Sequence, residues 1–200
     1  MRPVILFAHG SGAGHDHPWL QRWHLLLSTI GDVVPLTYSY MQEGRRIPSP
    51  VEALETEHVK QATAAARGHR NRPLLLAGKS LGGRVSVRVA QRTPALATVV
   101  FGYPLISSGR KATRRDAPLR STEIPTLLVQ GTRDPMGPID DFVDLVADHP
   151  TQQLRLRVVE DGDHSLECRK RPLRAVGRTQ DDVEREVLYD IRGFLRGVLG

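Results

Sequence analysis

The chain has 200 residues, a formal net charge of +6 and one cysteine. A single cysteine excludes an intrachain disulfide framework and suits a reducing compartment. Only 5% of the residues are aromatic, which argues against a nucleic-acid surface built on base stacking. No stretch approaches the roughly 18–20 apolar residues of a membrane span. We therefore expect one soluble, cytoplasmic domain over residues 1–200 that binds neither nucleic acid nor membranes.

The first third of the chain alternates between strand and helix patterns. Residues 4–8 form a short apolar run, and a glycine-rich segment, 9–14, follows it. Apolar residues at helical spacing then predict an amphipathic helix near 20–30, a weaker strand at 33–36 and a second helix after Pro50. Strands that alternate with helices in this way indicate an α/β fold with a mostly parallel sheet.

The most informative motif lies in the middle of the chain. Residues 73–77 are predicted to form a buried strand, and residues 81–91 a helix. The residues that join them, Gly78-Lys79-Ser80-Leu81-Gly82, fit the motif Gly-x-Ser-x-Gly. A serine on a sharp strand-to-helix turn exposes its hydroxyl above the sheet, and flanking glycines allow the backbone to turn tightly. The context predicts that Ser80 is a nucleophile.

Two later strands supply a base and an orienting acid. Asp134 directly follows the apolar strand at 124–130, and His164 follows an alternating, half-buried strand at 153–158 that we place near a sheet edge. We expect His164 to be the base and Asp134 its acid. The competing acids are Asp161, Asp163 and Asp140, and His149 is a second candidate base. Asp134 could instead cap the helix that follows Pro138.

About six strands can be counted, the last of them followed by a strong C-terminal helix from Val183 onwards. In a parallel sheet the carboxyl ends of the strands share one rim, where ligands bind. The rim would also hold the donors for a developing oxyanion. We expect these to be the amide of Leu81 and an amide of the glycine-rich segment, first Ser11 and then Gly12.

Several residues near these strand ends are candidates to contact substrate, namely Lys79, Tyr103, Pro104 and Met136. Tyr38 and Tyr40, which follow an earlier strand, are further candidates. Lys79 could bind an acidic substrate group or pair with a carboxylate. The segment 102–123 contains Arg110, Lys111, Arg114 and Arg115, and a basic rim could attract an anionic substrate, although a simply solvated basic surface is the plainer interpretation. Neither this segment nor 38–50 is long enough for a large cap domain.

Cofactor motifs are incomplete. A phosphate-binding loop ending in Gly78-Lys79-Ser80 would need a glycine where Pro73 stands, and a dinucleotide fingerprint would need one where His15 stands. The His15-Asp16-His17 triplet has no continuation that would make it a metal site. We expect neither a metal nor a cofactor.

These motifs together resemble the α/β-hydrolase superfamily. The resemblance rests on residues 9–14, 78–84, 101–105, 131–135 and 161–165, which span nearly the whole chain in the expected order. More narrowly, the chain resembles small lidless members related to the testis-expressed hydrolase-like proteins and to a subunit of a histone-acetyltransferase complex. The resemblance implies an α/β-hydrolase fold without a large cap.

The expected function is hydrolysis of an ester, thioester or similar acyl bond in a small-molecule substrate. Two alternatives remain open. One is a scaffold or binding protein that kept the fold with little turnover, as the resemblance to non-enzymatic relatives implies. The other is an acyltransferase that passes the same acyl-enzyme to an acceptor other than water. The sequence indicates neither the substrate nor the oligomeric state.

Overall fold

Six parallel strands form one sheet: β1 (Val4–Ala8), β2 (Asp32–Leu36), β3 (Leu74–Lys79), β4 (Ala95–Phe101), β5 (Thr126–Gly131) and β6 (Leu154–Val159). Their order across the sheet is β2-β1-β3-β4-β5-β6. The structure is a computed structural model and describes residues 1–107 and 112–200. The prediction of a parallel sheet with about six strands is confirmed.

The helices lie in the connections between the strands, except for the last two, which follow β6. The helices are α1 (Pro18–Leu27), α2 (Ser39–Gln42), α3 (Val51–Gly68), α4 (Leu81–Val89), α5 (Ala117–Arg120), α6 (Ile139–Ala147), α7 (Lys170–Ala175) and α8 (Gln180–Leu199). Helix α8 begins with a capping box in which the Thr179 hydroxyl accepts from the Asp182 amide and the Asp182 carboxylate accepts from the Thr179 amide. That pairing satisfies two backbone donors at the start of the helix.

The central strands are mostly apolar because helices cover both faces of the sheet. In β1, Ile5 and Phe7 pack on one face against α1 and α8, whereas Val4, Leu6 and Ala8 pack on the other against α3 and α4. By contrast, β6 pairs only with β5, and of its residues only Leu154 and Val159, at its two ends, are buried. Its predicted place at the edge of the sheet is confirmed.

The longest connection that could hold a cap runs from β4 to β5. Within its described residues, 102–107 and 112–125, the only helix is α5, which has four residues. The expected absence of a large cap domain therefore holds for this part of the chain. Arg110 and Lys111, two of the basic residues that the sequence singles out here, lie outside the described residues. None of the described helices combines the length and the apolar character that a membrane crossing needs.

The parallel arrangement brings the loops of interest together. The glycine-rich segment follows β1, Ser80 follows β3, Asp134 follows β5 and His164 follows β6. All four loops leave the same rim of the sheet because all of these strands run in one direction. The rim is where the candidate site lies.

Candidate active site

Ser80 sits on a strained turn between β3 and α4. Its backbone has φ 50° and ψ −112°, a conformation that is costly for a residue with a side chain. The turn is held by a 2.9 Å hydrogen bond from the Ser80 amide to the Phe101 carbonyl of β4. This is the strand-to-helix geometry that the Gly-x-Ser-x-Gly pattern predicts, and it places the hydroxyl at the rim.

Close packing around the turn explains its glycines. A Cβ on Gly78 would lie 2.4 Å from the Gly82 carbonyl carbon, and one on Gly82 would lie 2.5 Å from the His9 carbonyl oxygen. Such contacts are with backbone atoms, which cannot swing aside as a flexible side chain can. The glycines therefore let α4 start directly against β3 and against the end of β1.

Ser80, His164 and Asp134 form one hydrogen-bonded line. The Ser80 Oγ lies 2.9 Å from Nε2 of His164, and Nδ1 of His164 lies 2.7 Å from Oδ2 of Asp134. These are the distances expected when a hydroxyl, an imidazole and a carboxylate are arranged for proton transfer away from the hydroxyl. The structure thus brings together the three residues that the sequence puts forward.

Asp134 is buried, with 3% of its surface exposed, and is held on both carboxylate oxygens. Oδ1 accepts from the Met136 amide at 2.8 Å, and Oδ2 accepts from Gln130 Nε2 at 2.5 Å as well as facing His164. The residue before α6 is Pro138, and no side chain caps that helix. Asp134 is therefore not the helix cap that the sequence left open.

The competing residues have other contacts. Asp161 pairs with Arg169 and Arg133, and Asp163 accepts from the backbone amides of residues 165 and 167. Asp140 lies in the first turn of α6 and is exposed. His149 is buried at a distance from the rim, with Nε2 3.0 Å from the Leu119 carbonyl. None of these four meets Ser80.

Gln130 is a site residue that sequence reasoning missed. It is fully buried in β5, donates to Asp134 and to the Gly137 carbonyl at 3.3 Å, and accepts from the Tyr103 amide at 2.9 Å. It therefore fixes the acid relative to two loops. The sequence does contain a signal for Gln130. It is a long amide side chain in an otherwise apolar part of a predicted strand, four residues before Asp134.

His9 shapes the glycine-rich segment. Its Nε2 accepts from the Tyr38 amide at 3.1 Å, so the proton is on Nδ1, which donates to the Gly10 carbonyl at 2.6 Å. Burial lowers the pKa of His9, which keeps the ring neutral and preserves this pattern. These hydrogen bonds fix the loop close to Ser80. A Cβ placed on Gly10 would lie 3.7 Å from the Cβ of Ser80.

Several backbone amides near Ser80 have no hydrogen-bond acceptor among residues 1–107 and 112–200, and two of them bear on the oxyanion. One belongs to Leu81, the first residue of α4, where the helix itself offers no partner. The other belongs to Ser11, which lines the space beside Ser80 together with Gly12. These are the amides that the sequence proposes as oxyanion donors, with Gly12 the next along the loop.

Lys79 points beneath the histidine loop. Its Nζ donates to the His164 carbonyl and lies 5.5 Å from the centroid of the Trp19 ring. Trp19 in turn donates its Nε1 proton to the Ser165 carbonyl at 2.7 Å. Burial lowers the pKa of Lys79 to about 8, against the opposing effect of the Asp134 and Asp163 charges. The sequence leaves two roles open for Lys79: binding an acidic group of the substrate, or pairing with a carboxylate. Its contacts favour a structural role, in which it holds the His164 loop through a backbone carbonyl and not through a carboxylate.

Two cavities of about 320 Å³ each meet at Ser80, and both are lined by Ser11, Ser80 and Met136. We call the first the Trp19 cavity; its other walls include Trp19, Leu20, Lys79 and His164. We call the second the arginine cavity; its other walls include Leu81, Arg84, Pro104 and Arg115. A scissile bond at Ser80 would thus have a space on either side. Lys79, Pro104 and Met136 line these cavities as expected.

The tyrosines do not line them. Tyr103 is fully buried and donates its hydroxyl to the Arg115 carbonyl at 2.7 Å, so the expectation that it contacts substrate is wrong. Tyr38 is buried with its hydroxyl 2.9 Å from His58 Nδ1, and Tyr40 donates to the Ser11 carbonyl at 3.2 Å. Each ring packs in the core, and each hydroxyl forms a hydrogen bond with another segment of the chain. The sequence pattern does not reveal these hydrogen bonds.

Within the described parts of the chain, no three His, Cys, Asp or Glu side chains gather as metal ligands would. His15 and His17 both use a ring nitrogen locally, His15 near the Leu36 carbonyl and His17 as acceptor for the Trp19 amide. Their contacts give the triplet a structural role in the loop before α1.

Comparison with known proteins places the chain in a family. A family model described as an alpha/beta hydrolase domain matches residues 1–196. The matched span includes all six strands and every residue of the hydrogen-bonded line.

Solved structures share the fold at low sequence identity. An α/β serine hydrolase without a lid from Xanthomonas campestris is 18% identical, with a TM-score of 0.66 over 93% of this chain and 83% of that one. The esterase domain of a Rhodothermus marinus protein is 19% identical, with a TM-score of 0.65 over 99% and 88%. An α/β serine hydrolase homologue from Coxiella burnetii is 17% identical, with a TM-score of 0.66 over 81% and 76%. At these identities the likeness establishes the fold.

Proposed function

This chain belongs to the alpha/beta hydrolase family, and we propose that it is a serine hydrolase that cleaves an ester, thioester or similar acyl bond through an acyl-enzyme on Ser80. The observation that carries the proposal is the line of hydrogen bonds from Ser80 through His164 to Asp134. The strained turn at Ser80 supports it, since backbone strain of this kind is kept where a mechanism uses it.

The first half of the reaction forms the acyl-enzyme. His164 Nε2 takes the proton of the Ser80 hydroxyl while Oγ attacks the carbonyl carbon of the substrate. The imidazolium then returns the proton to the leaving alcohol or thiol. Asp134 faces Nδ1, so it holds the ring in the tautomer that leaves Nε2 free to accept and stabilises the positive charge that forms.

Negative charge develops on the carbonyl oxygen during the attack. The unpartnered amides of Leu81 and Ser11 can donate to it, with Gly12 adjacent. Because the loop of Ser11 is held by His9 and the amide of Leu81 by the helix start, both donors are set before substrate arrives. Loss of one such donor typically costs roughly 10²–10³ in rate.

The second half of the reaction releases the acid. Water attacks the acyl carbon with His164 again as base, and Ser80 leaves with the proton. The His164 side chain is about one-quarter exposed, at 27%, so water reaches the ring directly. An alcohol, amine or thiol in the place of water would make the protein an acyltransferase.

The two cavities suggest the size of the substrate. Each of about 320 Å³ lies at the lower end of the range for small-molecule sites, and no cap covers them in the described residues. We therefore favour short or flexible acyl compounds. The narrower likeness to testis-expressed hydrolase-like proteins rests on the sequence motifs alone and stays a prediction.

Labelling with a fluorophosphonate probe tests the proposal. We expect the wild type to be labelled, with the adduct mapped to Ser80 by mass spectrometry, and Ser80→Ala to remain unlabelled. Ser121→Ala, an exposed serine at the end of α5, is the matched control and should label as the wild type does.

A folded wild type that resists the probe would contradict the proposal and support a scaffold role. Labelled protein would next be given 4-nitrophenyl esters with and without an added alcohol, amine or thiol. Acyl transfer to the acceptor in preference to water would make the protein a transferase.

A further inference from the structure

Among residues 1–107 and 112–200, two cationic residues, Arg84 and Arg115, and no anionic residue line the arginine cavity. Its other lining residues include two serines besides Ser80, Ser11 and Ser49, and apolar residues such as Leu54 and Pro104. The cavity therefore joins a concentrated positive charge to the proposed nucleophile.

Arg84 lies one helical turn after Ser80. Its amide donates to the Ser80 carbonyl at 2.9 Å, and side chains on a helix lean back toward its N-terminus, so Arg84 extends toward the rim. Its Nε is buried and has no hydrogen-bond partner among the described residues. A buried guanidinium nitrogen without an acceptor is costly, and an acceptor brought by a ligand would relieve that cost.

Arg115 is held in place by its backbone. Its amide donates to the Leu105 carbonyl at 2.8 Å, and its carbonyl accepts from the Tyr103 hydroxyl at 2.7 Å. The backbone of the neighbouring Arg114 pairs with that of Ile106 in a single antiparallel β-bridge. These contacts fix the backbone from which the Arg115 side chain reaches the cavity.

Nearby carboxylates pair with other arginines. Asp116 binds Arg114 and Arg120, both at 2.9 Å, and Asp141 binds Arg114 at 2.8 Å. Neither Arg84 nor Arg115 has a carboxylate within salt-bridge distance in the parts of the chain that the structure describes. Burial, followed by the positive charge of Arg115, lowers the pKa of Arg84. The pair thus repel each other without a compensating anion.

We propose that Arg84 and Arg115 form an anion subsite and that the substrate is an ester or thioester with a carboxylate a few bonds from its scissile carbonyl. The inference rests on the proposed function of Ser80 and names its substrate class. A guanidinium pair matches a carboxylate, and the apolar walls between it and Ser80 suit a short alkyl chain. A half-ester of a short dicarboxylic acid has this chemistry.

Two chromogenic esters of equal chain length test the subsite: 4-nitrophenyl hydrogen glutarate, which carries the carboxylate, and neutral 4-nitrophenyl pentanoate. We expect the wild type to prefer the charged ester in kcat/KM. Arg84→Met and Arg115→Met should each lower the charged-to-neutral ratio by roughly 10- to 100-fold, the range for loss of a charged hydrogen bond. Using both variants protects the test if one fails to fold.

Arg155→Met is the matched control. Arg155 is exposed on β6 and lines neither cavity at Ser80, so its removal makes the same change in net charge and should leave the ratio as in the wild type. A wild-type ratio at or below one would overturn the inference. A fall in Arg155→Met equal to that in Arg115→Met would also overturn it, because overall charge would then be the cause.

A binding measurement separates this inference from the proposed function. Calorimetry on Ser80→Ala with monomethyl glutarate needs no turnover. Binding that is lost in Ser80→Ala/Arg115→Met and kept in Ser80→Ala/Arg155→Met supports the subsite even if the protein resists the fluorophosphonate probe. If Ser80→Ala does not bind monomethyl glutarate, while the wild type is labelled by the probe and hydrolyses the neutral ester, the subsite is rejected and the proposed hydrolase activity is retained.

Discussion

Ser80 adopts φ 50° in a turn that is fixed by the hydrogen bond from its amide to the Phe101 carbonyl, and its partners are also held by hydrogen bonds. Asp134 has both oxygens occupied, and the segment carrying His164 is held by Lys79 and Trp19 through the carbonyls of residues 164 and 165. The side chains are thus ordered in the geometry that proton transfer needs. Such preorganisation is worth keeping only where chemistry uses it.

The role proposed for Asp134 predicts a large kinetic effect. Asp134→Asn should preserve the fold and lower the acylation rate by roughly 10³–10⁴-fold, because the amide favours the wrong tautomer of His164. Single-turnover kinetics with a 4-nitrophenyl ester measure that rate. Asp140→Asn, an exposed carboxylate in the same connection, should match the wild type. Near-normal acylation in Asp134→Asn would transfer the acid role to another carboxylate.

Lys79 predicts a pH dependence of stability. Its pKa is lowered to about 8 in the folded protein, whereas in the unfolded chain it titrates near 10.4. Between these values the unfolded state binds more protons, so stability rises with pH. The penalty for the buried ammonium is complete below pH about 8 and is lost as the pH approaches the unfolded pKa.

Urea unfolding of wild type and Lys79→Met at neutral and at alkaline pH measures this effect. The free energy of unfolding of the wild type should gain about 1–3 kcal/mol on that of the variant as the pH rises, since one pKa unit corresponds to about 1.4 kcal/mol. Lys60→Met, at an exposed position of α3, should run parallel to the wild type. Parallel curves for Lys79→Met as well would contradict the lowered pKa.

At the scale of elements, the site depends on how closely α4 approaches two strands. Gly82 faces the carbonyls of Ala8 and His9 at the end of β1, and Gly83 faces Val100 of β4. These contacts join the turn at Ser80 to the loop that offers the Ser11 amide. The sequence pattern revealed that glycines were needed here, and the structure identifies the backbone atoms that exclude a side chain.

Gly82→Ala should therefore be destabilising. Its Cβ would lie 2.6 Å from the Ala8 carbonyl oxygen, and relief requires α4 to move, at roughly 1–3 kcal/mol. Gly193→Ala is the matched control: in the interior of α8 a Cβ would meet nothing within 4 Å, so alanine should stabilise by roughly 0.5–1 kcal/mol. Chemical denaturation of both variants checks the opposite signs, and a stabilised Gly82→Ala would contradict the packing argument.

At the scale of the whole molecule, some of the positive charge is neutralised by salt bridges and some is not. The formal net charge is +6, yet many arginines are paired, including Arg22 with Asp181 and Arg72 with Asp32. Arg84 and Arg115, which form no salt bridge within residues 1–107 and 112–200, line the same cavity as Ser80. The charge that the sequence leaves as either a solvated surface or a substrate-attracting rim is therefore partly placed where it would act on a ligand.

A salt dependence follows for anionic substrates. Raising the ionic strength from about 0.01 to about 1 M shortens the Debye length from about 30 to about 3 Å. We expect kcat/KM for 4-nitrophenyl hydrogen glutarate to fall by roughly tenfold, since steering by charge is screened, and kcat/KM for the neutral pentanoate to change little. Steady-state kinetics measure both, and an equal response of the two esters would contradict steering.

Much of the architecture follows from local sequence. Apolar runs such as 73–77 predict buried parallel strands. The alternation in 153–158 predicts an edge, and the order of Ser80, Asp134 and His164 after separate strands predicts their convergence. These inferences succeed because burial on two faces, the period of a strand and the common direction of parallel strands all leave a record in short stretches of chain.

The contacts across the fold were decided only by tertiary structure. Examples are the hydrogen bond of Gln130 to Asp134, the burial of Tyr103, the hydrogen bond of Lys79 to the His164 carbonyl, and the shared cavity of Arg84 and Arg115. Each joins residues far apart in the chain or depends on where one side chain points. Local patterns determine which residues form strands and turns. They do not determine which hydroxyl finds a carbonyl or which guanidinium lacks a partner, because these depend on the packing of the whole chain.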